Sequence, residues 1–444
     1  MIRRKMPIGI QDFEKLRMGN YIYVDKTAYI YRLAEYDSPY FLARPRRFGK
    51  SLFLSTLKAY FEGKRELFEE APGRSALAIA GLEKDWVRRP VFHFDFASGV
   101  YTDTAKLLSS IDFALRGLEE QWGESHPNDT PPLRLLGLIR RAYEKSGNKV
   151  VVLVDEYDKP LLETIDKPPL NEEMRGILKS FYGVLKPADP MLRFAFLTGV
   201  TSDPNGSAFS QVSIFSDLNQ LWDISMEDAY AGVCGISAEE LTGTFGPDIE
   251  TLAEKNGKTY DEALAEMHKR YNGYHFSPGS EGIFNPFSVL NTLVKRRFEY
   301  YWFKTGTPTF LVKTLKETGF DLHRFSEGIS ISAQFVNDYR AGSKNLTPLL
   351  YQSGYLTIKD YDPESECYTL GFPNQEVRYG FLRELALLYT PSLYESQDFD
   401  ILGFQEDLCR GDAEAFMNRL RAFIASIPYD LKYDAEKYYQ NIFY

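Results

Sequence analysis

The sequence predicts an α/β fold for the first half of the chain, with a parallel sheet covered by helices on both faces, and a mainly helical second half. Residues 150–154 are five consecutive apolar, mostly β-branched residues, a run typical of a strand buried on both faces of a parallel sheet. Strand-like runs at 91–96 and 193–197 alternate with helix-like stretches, which is the pattern of a layered α/β domain. From 224 to 325 the pattern is mostly helical.

Composition narrows the class of protein. With 444 residues the chain is long enough for two or three domains. Its net charge of −10 argues against a uniformly basic nucleic-acid-binding protein, although a local basic patch is left open. The three cysteines lie far apart, which excludes a disulfide scaffold or cysteine zinc site and fits the reducing cytoplasm. No apolar run is long enough to span a membrane and no secretory signal is present, so we expect no membrane partner.

The remaining elements follow from hydrophobic periodicity and turn residues. Residues 50–61 carry an apolar stripe at helical spacing, and Gly63 is a suitable C-cap. The short run at 40–42 is a strand candidate. In the last third, two strand-like runs flank the turn-rich segment 360–366 and predict a hairpin at 355–358 and 367–370. Further helices are predicted at 28–36, 133–143, 239–241, 260–271, 287–295 and 413–425, and from 376 onward.

The sharpest motif is RPRRFGKS at residues 44–51, which lies between a strand-like run and a helix. A phosphate-binding loop requires this position, because the N–H groups and the dipole at a helix start attract an anion. Gly49 allows close backbone approach, Lys50 can place its ammonium on the β- and γ-phosphates, and Ser51 can bind Mg²⁺ through its hydroxyl. Arg44 replaces the first glycine of the GxxxxGKS pattern, so we expect a different loop entrance. The alternative is a chance GKS at a helix start.

A second motif ends the apolar strand with two acids. Asp155 is predicted to hold Mg²⁺ beside the loop. Because successive strand side chains point to opposite sides, Glu156 can turn toward the water that attacks the γ-phosphate. The run VFHFDF at 91–96 lies between the two motifs, and one strand between the loop strand and the metal strand is the arrangement of the additional-strand class of P-loop ATPases. The alternative is an ordinary exposed strand end.

A sensor residue is expected at the end of the neighbouring strand. Thr198, directly after the run RFAFL, is the candidate for contacting the γ-phosphate or the attacking water. Thr201 and Ser202 are weaker candidates, and a hydroxyl that caps the next turn is the alternative for Thr198. Asp158 is more readily explained as a helix-start residue than as a further acid of the site.

The loop also carries a cluster of arginines whose role the sequence leaves open. Arg44, Arg46 and Arg47 can clamp phosphates, meet the nucleotide of a neighbouring subunit or contact nucleic acid. They can equally form a solvated basic rim.

At these residues the chain resembles the predicted AAA-ATPase-like proteins of bacteria, which usually join this domain to a C-terminal nuclease-like domain of the PD-(D/E)XK superfamily. The resemblance runs through nearly the whole chain, and Arg44 in the loop looks like the usual form of that family. The matching strings are PIGIQDF from 7, YVDKT from 23, RPRRFGKSLF from 44, VDEYDKPL from 154, FLTGV from 196, YNGYHFS from 271, FNPFSVLN from 284, YWFKTGTPTFL from 301, YQSGYLTIKDY from 351 and GFPNQEVR from 371.

The resemblance implies ATP binding and slow, Mg²⁺-dependent hydrolysis by Glu156, Lys50 and Thr198. The adenine and ribose would lie near Tyr23 and Asp25. Nucleotide contacts are further expected from the loop and the helix after it, with Mg²⁺ held by Ser51 and Asp155; the loop residues concerned are Arg46, Arg47, Phe48, Gly49, Lys50, Ser51 and Leu52.

The resemblance also divides the chain. It implies an ATPase domain at 1–223, a helical lid at 224–330, a winged-helix-like region at 331–430 whose hairpin is the wing, and the stump of a nuclease-like domain at 431–444. Tyr271 and His275 are a plausible nucleotide sensor in the lid, although a packed helix end is favoured. Glu436 would match the first-helix glutamate of the nuclease fold. The metal-binding acids of that fold are absent from this sequence, so we expect no nuclease activity from it.

Three functions remain in competition at this stage. The first is an ATPase whose nucleotide state controls a C-terminal effector or a partner. The second is a nucleotide-gated switch with negligible turnover. The third is a nucleic-acid-binding regulator in which the arginines and the hairpin do the main work, which would bind with steep salt dependence. DNA contact through a nuclease module and assembly into a homo-oligomer are also left open.

Overall fold

The computed structural model describes residues 5–201, 221–305, 325, 328–336, 343, 345–389 and 401–425. Ser202, Glu436 and the segment 431–444, which the sequence singles out, lie outside these residues. Within them, no helix combines the length and the apolar character that a membrane crossing requires.

A five-stranded parallel sheet forms the centre of the first half. Its order is β2–β3–β4–β1–β5, so β4 lies between β1, which precedes the phosphate loop, and β3, which ends at Asp155. One strand inserted at this place is the mark of the additional-strand class, and the predicted fold class is confirmed. The strands are β1 (Pro39–Ala43), β2 (Val91–Asp95), β3 (Val150–Asp155), β4 (Leu192–Gly199) and β5 (Trp222–Asp223).

The structure corrects the identity of the inserted strand. The run at 91–96 forms β2, which pairs with the far side of β3 at the edge of the sheet, and the inserted strand is β4. Chain order did not give spatial order, because crossover connections let a later strand return to the middle of a sheet. The alternation in β2, where Phe92 and Phe94 are buried and His93 is exposed, already differs from the fully buried β3.

Helices cover both faces of the sheet. Val151 and Leu153 pack with α3 in one apolar cluster, whereas Val150 and Val152 pack on the opposite face with α5, α6 and α8. The helices of this half are α1 (Phe13–Met18), α2 (Thr27–Ala34), α3 (Lys50–Phe61), α4 (Ala78–Leu82), α5 (Thr104–Trp122), α6 (Pro131–Ser146), α7 (Lys159–Glu163), α8 (Pro168–Gly183) and α9 (Leu185–Ala188).

The region after the sheet is helical, as the sequence predicts. It contains α10 (Ala238–Lys255), α11 (Tyr260–Tyr271) and α12 (Pro286–Lys295). α10 and α11 each begin with a capping box, in which a Ser or Thr side chain accepts from the third helical N–H and the glutamate there accepts from the cap. The inner faces of the three helices pack in one apolar cluster.

A small antiparallel sheet follows, with the order β6–β8–β7. Its strands are β6 (Ile329–Ser332), β7 (Thr357–Asp362) and β8 (Cys367–Gly371), so the predicted hairpin is present and begins two residues later than expected. The four-residue β6 carried too little pattern to be predicted. The interpretation of this region as a winged helix stays a prediction. The helices here are α13 (Thr347–Gln352), α14 (Gln375–Tyr389), α15 (Ile401–Cys409) and α16 (Ala413–Ala425).

Candidate phosphate-binding site

The phosphate loop connects β1 to α3 at the carboxyl edge of the sheet. Its last residue before the helix, Gly49, has a φ of 99°, which a side chain would disfavour. Arg47 also lies in the left-handed region, with a φ of 66°, whereas Arg44 does not. The residue that departs from the glycine pattern is therefore not the strained one. The N-terminus of the twelve-residue α3 faces the end of the loop, as anion binding requires.

Arg44 is a structural residue of the loop entrance. Its guanidinium is 1% exposed and lies 4.1 Å from the ring centroid of Phe276. It donates to the carbonyl oxygens of Ala43, Ser225 and Tyr230 at 2.9, 2.7 and 3.0 Å. The proposed roles of Arg44 in clamping phosphate or contacting nucleic acid are therefore wrong for this conformation, because the side chain is enclosed and engaged.

Lys50 points back onto its own loop. Its buried ammonium donates to the carbonyl oxygens of Arg44 at 2.8 Å and Pro45 at 3.3 Å. These are neutral acceptors, and no carboxylate lies within ion-pair distance among the described residues. A bound phosphate would offer the ammonium a charged acceptor in their place, and hydrogen bonds to charged groups are the stronger ones.

The acidic residue and the sensor candidate lie side by side. Thr198 on β4 donates its hydroxyl to Asp155 Oδ1 on β3 at 2.6 Å, and both residues are buried. The same oxygen accepts from the backbone N–H of Glu156 at 3.1 Å. Glu156 has a φ of 48°, and burial raises the pKa of its carboxyl, with Asp155 adding to the rise and Lys50 opposing it. A glutamate with a raised pKa accepts a proton more readily.

One large cavity joins the two motifs. It has a volume of about 610 Å³ and is lined by loop residues from one side and by Glu156 from the other. Asp155 and Thr198 are not part of its lining. The predicted site residues that line it are Arg46, Arg47, Gly49, Lys50, Ser51, Leu52 and Glu156. The loop and the acidic strand end therefore face a common space large enough for a polyphosphate.

A second, apolar cavity of about 90 Å³ adjoins the first. Tyr23, Phe48 and Leu52 line it, and it shares Gly49 and Pro286 with the larger cavity. Phe48 is buried, and its ring packs edge-on against Tyr274 at 4.7 Å, so only its backbone is available to a ligand. An apolar space beside a phosphate loop suits a nucleotide base.

Some predicted site residues are not brought into the site. Asp25 lines neither cavity, and its carboxylate accepts hydrogen bonds from Thr27 and from the backbone N–H of Ala78. Tyr271 is buried and donates its hydroxyl to the carbonyl oxygen of Glu299 at 2.9 Å. His275 lies outside the large cavity, with Nδ1 2.8 Å from the carbonyl oxygen of Ser280.

Asp158 connects α7 to the end of β4 instead of capping its own helix. Its fully buried Oδ2 accepts from the backbone N–H groups of Val200 and Thr201 at 2.9 and 2.6 Å and from the Thr201 hydroxyl at 2.7 Å. Burial raises the pKa of this carboxyl, whereas the hydrogen bonds from Val200 and Thr201 lower it by less. The residue thus fixes the strand end that carries Thr198.

The sequence predicted a helical lid at 224–330 but identified none of the second-half residues that line the large cavity. Phe287 stacks on the Arg47 guanidinium at 4.1 Å, and the indole of Trp302 contacts the loop directly. Both residues lie in strings that match the family, FNPFSVLN and YWFKTGTPTFL, and that match was the available signal. The lining residues from this half are Pro286, Phe287, Leu290, Trp302, Leu349, Ser353 and Tyr355.

The sequence of the chain is similar to a known protein family and to a known bacterial protein. Residues 7–215 match the family described as predicted AAA-ATPase. The chain is 37% identical over 464 aligned positions to an uncharacterized protein in the vnfD 5′ region of Azotobacter chroococcum mcd 1, covering 100% of this chain and 83% of that one.

Two solved structures show weaker likeness. They are the Aeropyrum pernix Orc1 protein in complex with DNA, over 84% of this chain and 95% of that chain at TM-score 0.29, and Cdc6p from Pyrobaculum aerophilum, over 78% and 87% at TM-score 0.24. Each is 11% identical in sequence. At this level of similarity the assignment of the fold rests on the strand order.

Proposed function

Because the chain belongs to the family of predicted AAA-ATPases, we propose that it binds ATP with Mg²⁺, hydrolyses it slowly and uses the nucleotide state to control a C-terminal effector or a partner. The observation that carries the proposal is the common cavity. Gly49, Lys50 and Ser51 line it from the loop, and Glu156 lines it from the end of β3. The chemistry is in-line attack of water on the γ-phosphate, promoted by positioning and charge neutralisation.

We assign a role to each of four predicted site residues, of which Lys50 and Glu156 line the large cavity and Thr198 lies behind it. Lys50 leaves its two loop carbonyls and neutralises charge on the β- and γ-phosphates. Glu156 accepts the hydrogen bond of the attacking water and orients it. Thr198, oriented by Asp155, senses the γ-phosphate from β4. The base occupies the apolar cavity beside Tyr23.

The donor set fits Mg²⁺. Ser51 lines the cavity with a hydroxyl, and Asp155 carries a carboxylate at the end of β3, directly before Glu156, which also lines the cavity. Hydroxyl and carboxylate oxygens are hard ligands of the kind that this ion prefers. Ser51 and Asp155 would hold the ion, and when bound it would neutralise charge on the phosphates. Among the described residues no cluster of three or more His, Cys, Asp or Glu could hold a metal ion.

The positions of the cations support the proposal that hydrolysis is slow. Those that line the cavity, Arg46, Arg47, Lys50 and Lys159, all come from the first half of the chain, and the described lining residues of the second half are apolar, aromatic or hydroxylic. Among the described residues that line the cavity, no arginine comes from the second half of the chain. This observation also favours the second candidate, a switch with negligible turnover, unless a partner supplies the missing cation.

The nucleic-acid-binding alternative is weakened at the hairpin. The hairpin of β7, β8 and the turn between them exposes four acids, Asp360, Asp362, Glu364 and Glu366, against one exposed cation, Lys359. An acidic tip repels a phosphate backbone. Arg46 and Arg47 remain exposed, so charge reversal at these two positions in an electrophoretic shift assay is the remaining test of that alternative. A shift that persists unchanged in the reversed variant excludes the loop as the contact.

Calorimetric titration with a non-hydrolysable ATP analogue and Mg²⁺ tests nucleotide binding. Lys50→Ala is expected to weaken binding at least about tenfold, since it removes a charged hydrogen bond to phosphate. The matched control is Lys58→Ala on the same helix, whose lysine is 41% exposed and lies 3.9 Å from Glu62. No binding by the wild type, or equal binding by Lys50→Ala, contradicts the proposal.

Single-turnover hydrolysis separates the ATPase from the silent switch. Glu156→Gln keeps the shape of the side chain and removes its ability to take up a proton, so we expect the rate to fall by about 10²-fold or more. Glu173→Gln, at an exposed position of α8, is the control for the loss of one charge. If the wild type binds the analogue but hydrolyses ATP no faster than Glu156→Gln, the ATPase proposal is wrong and the nucleotide-gated switch is the correct one.

A further inference from the structure

Trp302 connects the second half of the chain to the phosphate loop. Its indole Nε1 donates to the carbonyl oxygen of Arg46 at 3.0 Å, across a separation of 256 residues. The ring lines the large cavity and packs edge-on against Tyr355 at 5.5 Å. The side chain is nearly enclosed, with 6% exposure. The loop is thus hydrogen-bonded from outside by a group that belongs to another part of the fold.

A single buried carboxylate holds Trp302 in place. Glu376, in the first turn of α14, accepts from the backbone N–H of Trp302 through Oε1 at 2.8 Å. Its Oε2 accepts from the hydroxyl of Ser288 on α12 at 2.7 Å. Glu376 is 1% exposed. The carboxylate therefore joins α12, the segment of Trp302 and α14 at one point.

The bond to Arg46 fixes an orientation in the loop. A trans peptide is planar, so the direction of the Arg46 carbonyl determines that of the Arg47 N–H, which points the opposite way. Arg47 has a φ of 66°, a conformation that costs a residue other than glycine about 1 kcal/mol or more and persists only when its surroundings hold it. The ring of Phe287 under the Arg47 guanidinium is a second contact that holds it.

We propose that Trp302 is a positioning residue that holds the phosphate loop in its binding conformation, and that Glu376 anchors Trp302 and so couples the loop to α14. The inference rests on the proposed nucleotide binding and adds the route by which nucleotide state reaches the C-terminal region. Coupling of this kind is reciprocal, so whatever displaces α14 alters nucleotide affinity by the same factor by which nucleotide alters the position of α14.

The charge of Glu376 sets the strength of the link. Burial raises the pKa of this carboxyl to about 7, against the hydrogen bonds from Ser288 and the Trp302 backbone. An ionised carboxylate accepts stronger hydrogen bonds than a neutral one, so the anchor is tighter above pH 7 than below it. The other groups that face it are one cation and four phenols, Arg270, Tyr271, Tyr274, Tyr300 and Tyr301.

Trp302→Phe tests the first step of the route. This variant keeps an aromatic ring in the wall and removes the indole N–H. We expect the affinity for an ATP analogue with Mg²⁺, measured by calorimetry on the full chain, to fall about tenfold, because one buried hydrogen bond to the loop is lost. The control is Trp122→Phe at the end of α5, which packs on the face of the sheet opposite to α3 and is expected to bind like the wild type.

Glu376→Gln tests the anchor through a pH profile. The amide has the shape of the carboxyl but does not titrate. Wild-type affinity is expected to rise about threefold or more between pH 6 and pH 8 relative to that of Glu376→Gln, because only the wild type gains an ionised anchor. The titration of the nucleotide itself is common to both proteins and cancels in the ratio. If the ratio of wild-type affinity to Glu376→Gln affinity is the same from pH 6 to pH 8, the proposed role of Glu376 is contradicted. A residue with a purely structural role would give such a constant ratio.

Amide hydrogen exchange without nucleotide separates this inference from the proposed function. Residues 44–51 are expected to exchange faster in Trp302→Phe than in Trp122→Phe, whatever the chain binds. If the wild type binds no nucleotide but this difference is seen, the proposed function fails and the positioning role stands. If the wild type binds nucleotide and Trp302→Phe matches it in both affinity and loop exchange, the inference is overturned.

Discussion

The groups proposed to contact phosphate or metal already have internal partners. The Lys50 ammonium is bound to two loop carbonyls, and Asp155 is bound by Thr198 and by the backbone of Glu156. A ligand must therefore exchange hydrogen bonds with the protein. Such an exchange is close to neutral for uncharged partners and favourable for a polyphosphate, whose charge strengthens each new bond. The arrangement favours anions over neutral ligands of similar shape.

Thr198→Val tests the pairing of Thr198 with Asp155. The substitution removes the hydroxyl that donates to the buried carboxylate at 2.6 Å, and we expect single-turnover hydrolysis to slow about tenfold or more. Urea unfolding is expected to show a loss of about 1–3 kcal/mol, the cost of removing one partner of a buried carboxylate. Thr198→Ser keeps the hydroxyl and is the matched control. Equal rates in the valine and serine variants would refute a role for this hydroxyl.

Glu376 makes stability depend on pH with a definite sign. Its folded pKa of about 7 lies above the ordinary value of 4.5. The contribution of Glu376 to the free energy of unfolding is therefore fully present below pH 4.5 and is lost as the pH rises through 7. The reason is that this carboxyl ionises at a lower pH in the unfolded chain than in the folded one. Between pH 5 and pH 8 the wild type should lose on the order of 3 kcal/mol of unfolding free energy relative to Glu376→Gln. Parallel curves for the two proteins would rule out a raised pKa.

At the residue scale, the sequence predicted those functional residues that belong to a local motif. Gly49, Lys50 and Ser51 follow from the spacing of the loop, and each lines the large cavity. Trp302 and Glu376 could not be assigned in the same way. Trp302 contacts Arg46 across 256 residues and Glu376 contacts Trp302 across 74, so no local sequence pattern indicates either contact. Asp25 was placed near the base by resemblance, whereas its carboxylate joins α2 to α4.

Among the elements, the turn before β7 packs against the phosphate loop. Gly354 has a φ of 87°, and a Cβ at this position would lie 2.7 Å from Cβ of Pro45. The backbone of the C-terminal region thus approaches the loop as closely as glycine permits. This contact lies on the same loop as the hydrogen bond from Trp302, so two segments of the second half contact neighbouring residues there.

Gly354→Ala separates steric contact from backbone strain. The added methyl group meets the Pro45 ring, which belongs to the loop backbone and cannot move without it, so we expect a loss of about 2–4 kcal/mol and weaker nucleotide binding. Gly147→Ala is the control, because its φ of 68° carries a similar strain and its Cβ meets nothing within 4 Å. The control should lose about 1 kcal/mol and bind normally. Identical effects of the two substitutions would show that the contact is unimportant.

At the scale of elements, burial pattern decided which predictions held. The fully apolar run of β3 was recognised as a central strand because both its faces are covered. The alternating run of β2 signalled an edge position, but chain order suggested the middle of the sheet. β6 has four residues and pairs with β8, from Ser332↔Cys367 to Ile329↔Leu370, across a long separation in sequence, so tertiary context alone creates it.

In the whole molecule, the two halves meet around the proposed nucleotide site. Besides the contacts to the loop, the ammonium of Lys26 binds the carboxylate of Glu240 on α10 at 2.6 Å and the carbonyl oxygen of Gly232 at 2.8 Å. The pair is mostly enclosed, so its geometry matters more than its net energy. A ligand between the halves contacts both and should stabilise the chain as one unit.

Thermal unfolding with saturating ATP analogue and Mg²⁺ tests this expectation. At a ligand concentration of about 100 times the dissociation constant, linkage adds about 2.7 kcal/mol to the stability of the wild type. The transition should remain single and move to higher temperature. Lys50→Ala should gain only about half of this stabilisation or less under the same conditions, because tenfold weaker binding leaves about 1.4 kcal/mol. Lys58→Ala should show the full shift. A shift confined to one of two separate transitions would mean that the halves respond independently.

The enclosed guanidinium at position 44 has a consequence for protein design. Restoring the consensus glycine there would look like a repair of the motif, yet it would leave the carbonyls of Ser225 and Tyr230 without a donor and open a void beside Phe276. In this chain the consensus residue is thus the damaging one, and a search that demands glycine at this place would reject a loop whose rigidity comes from a side chain.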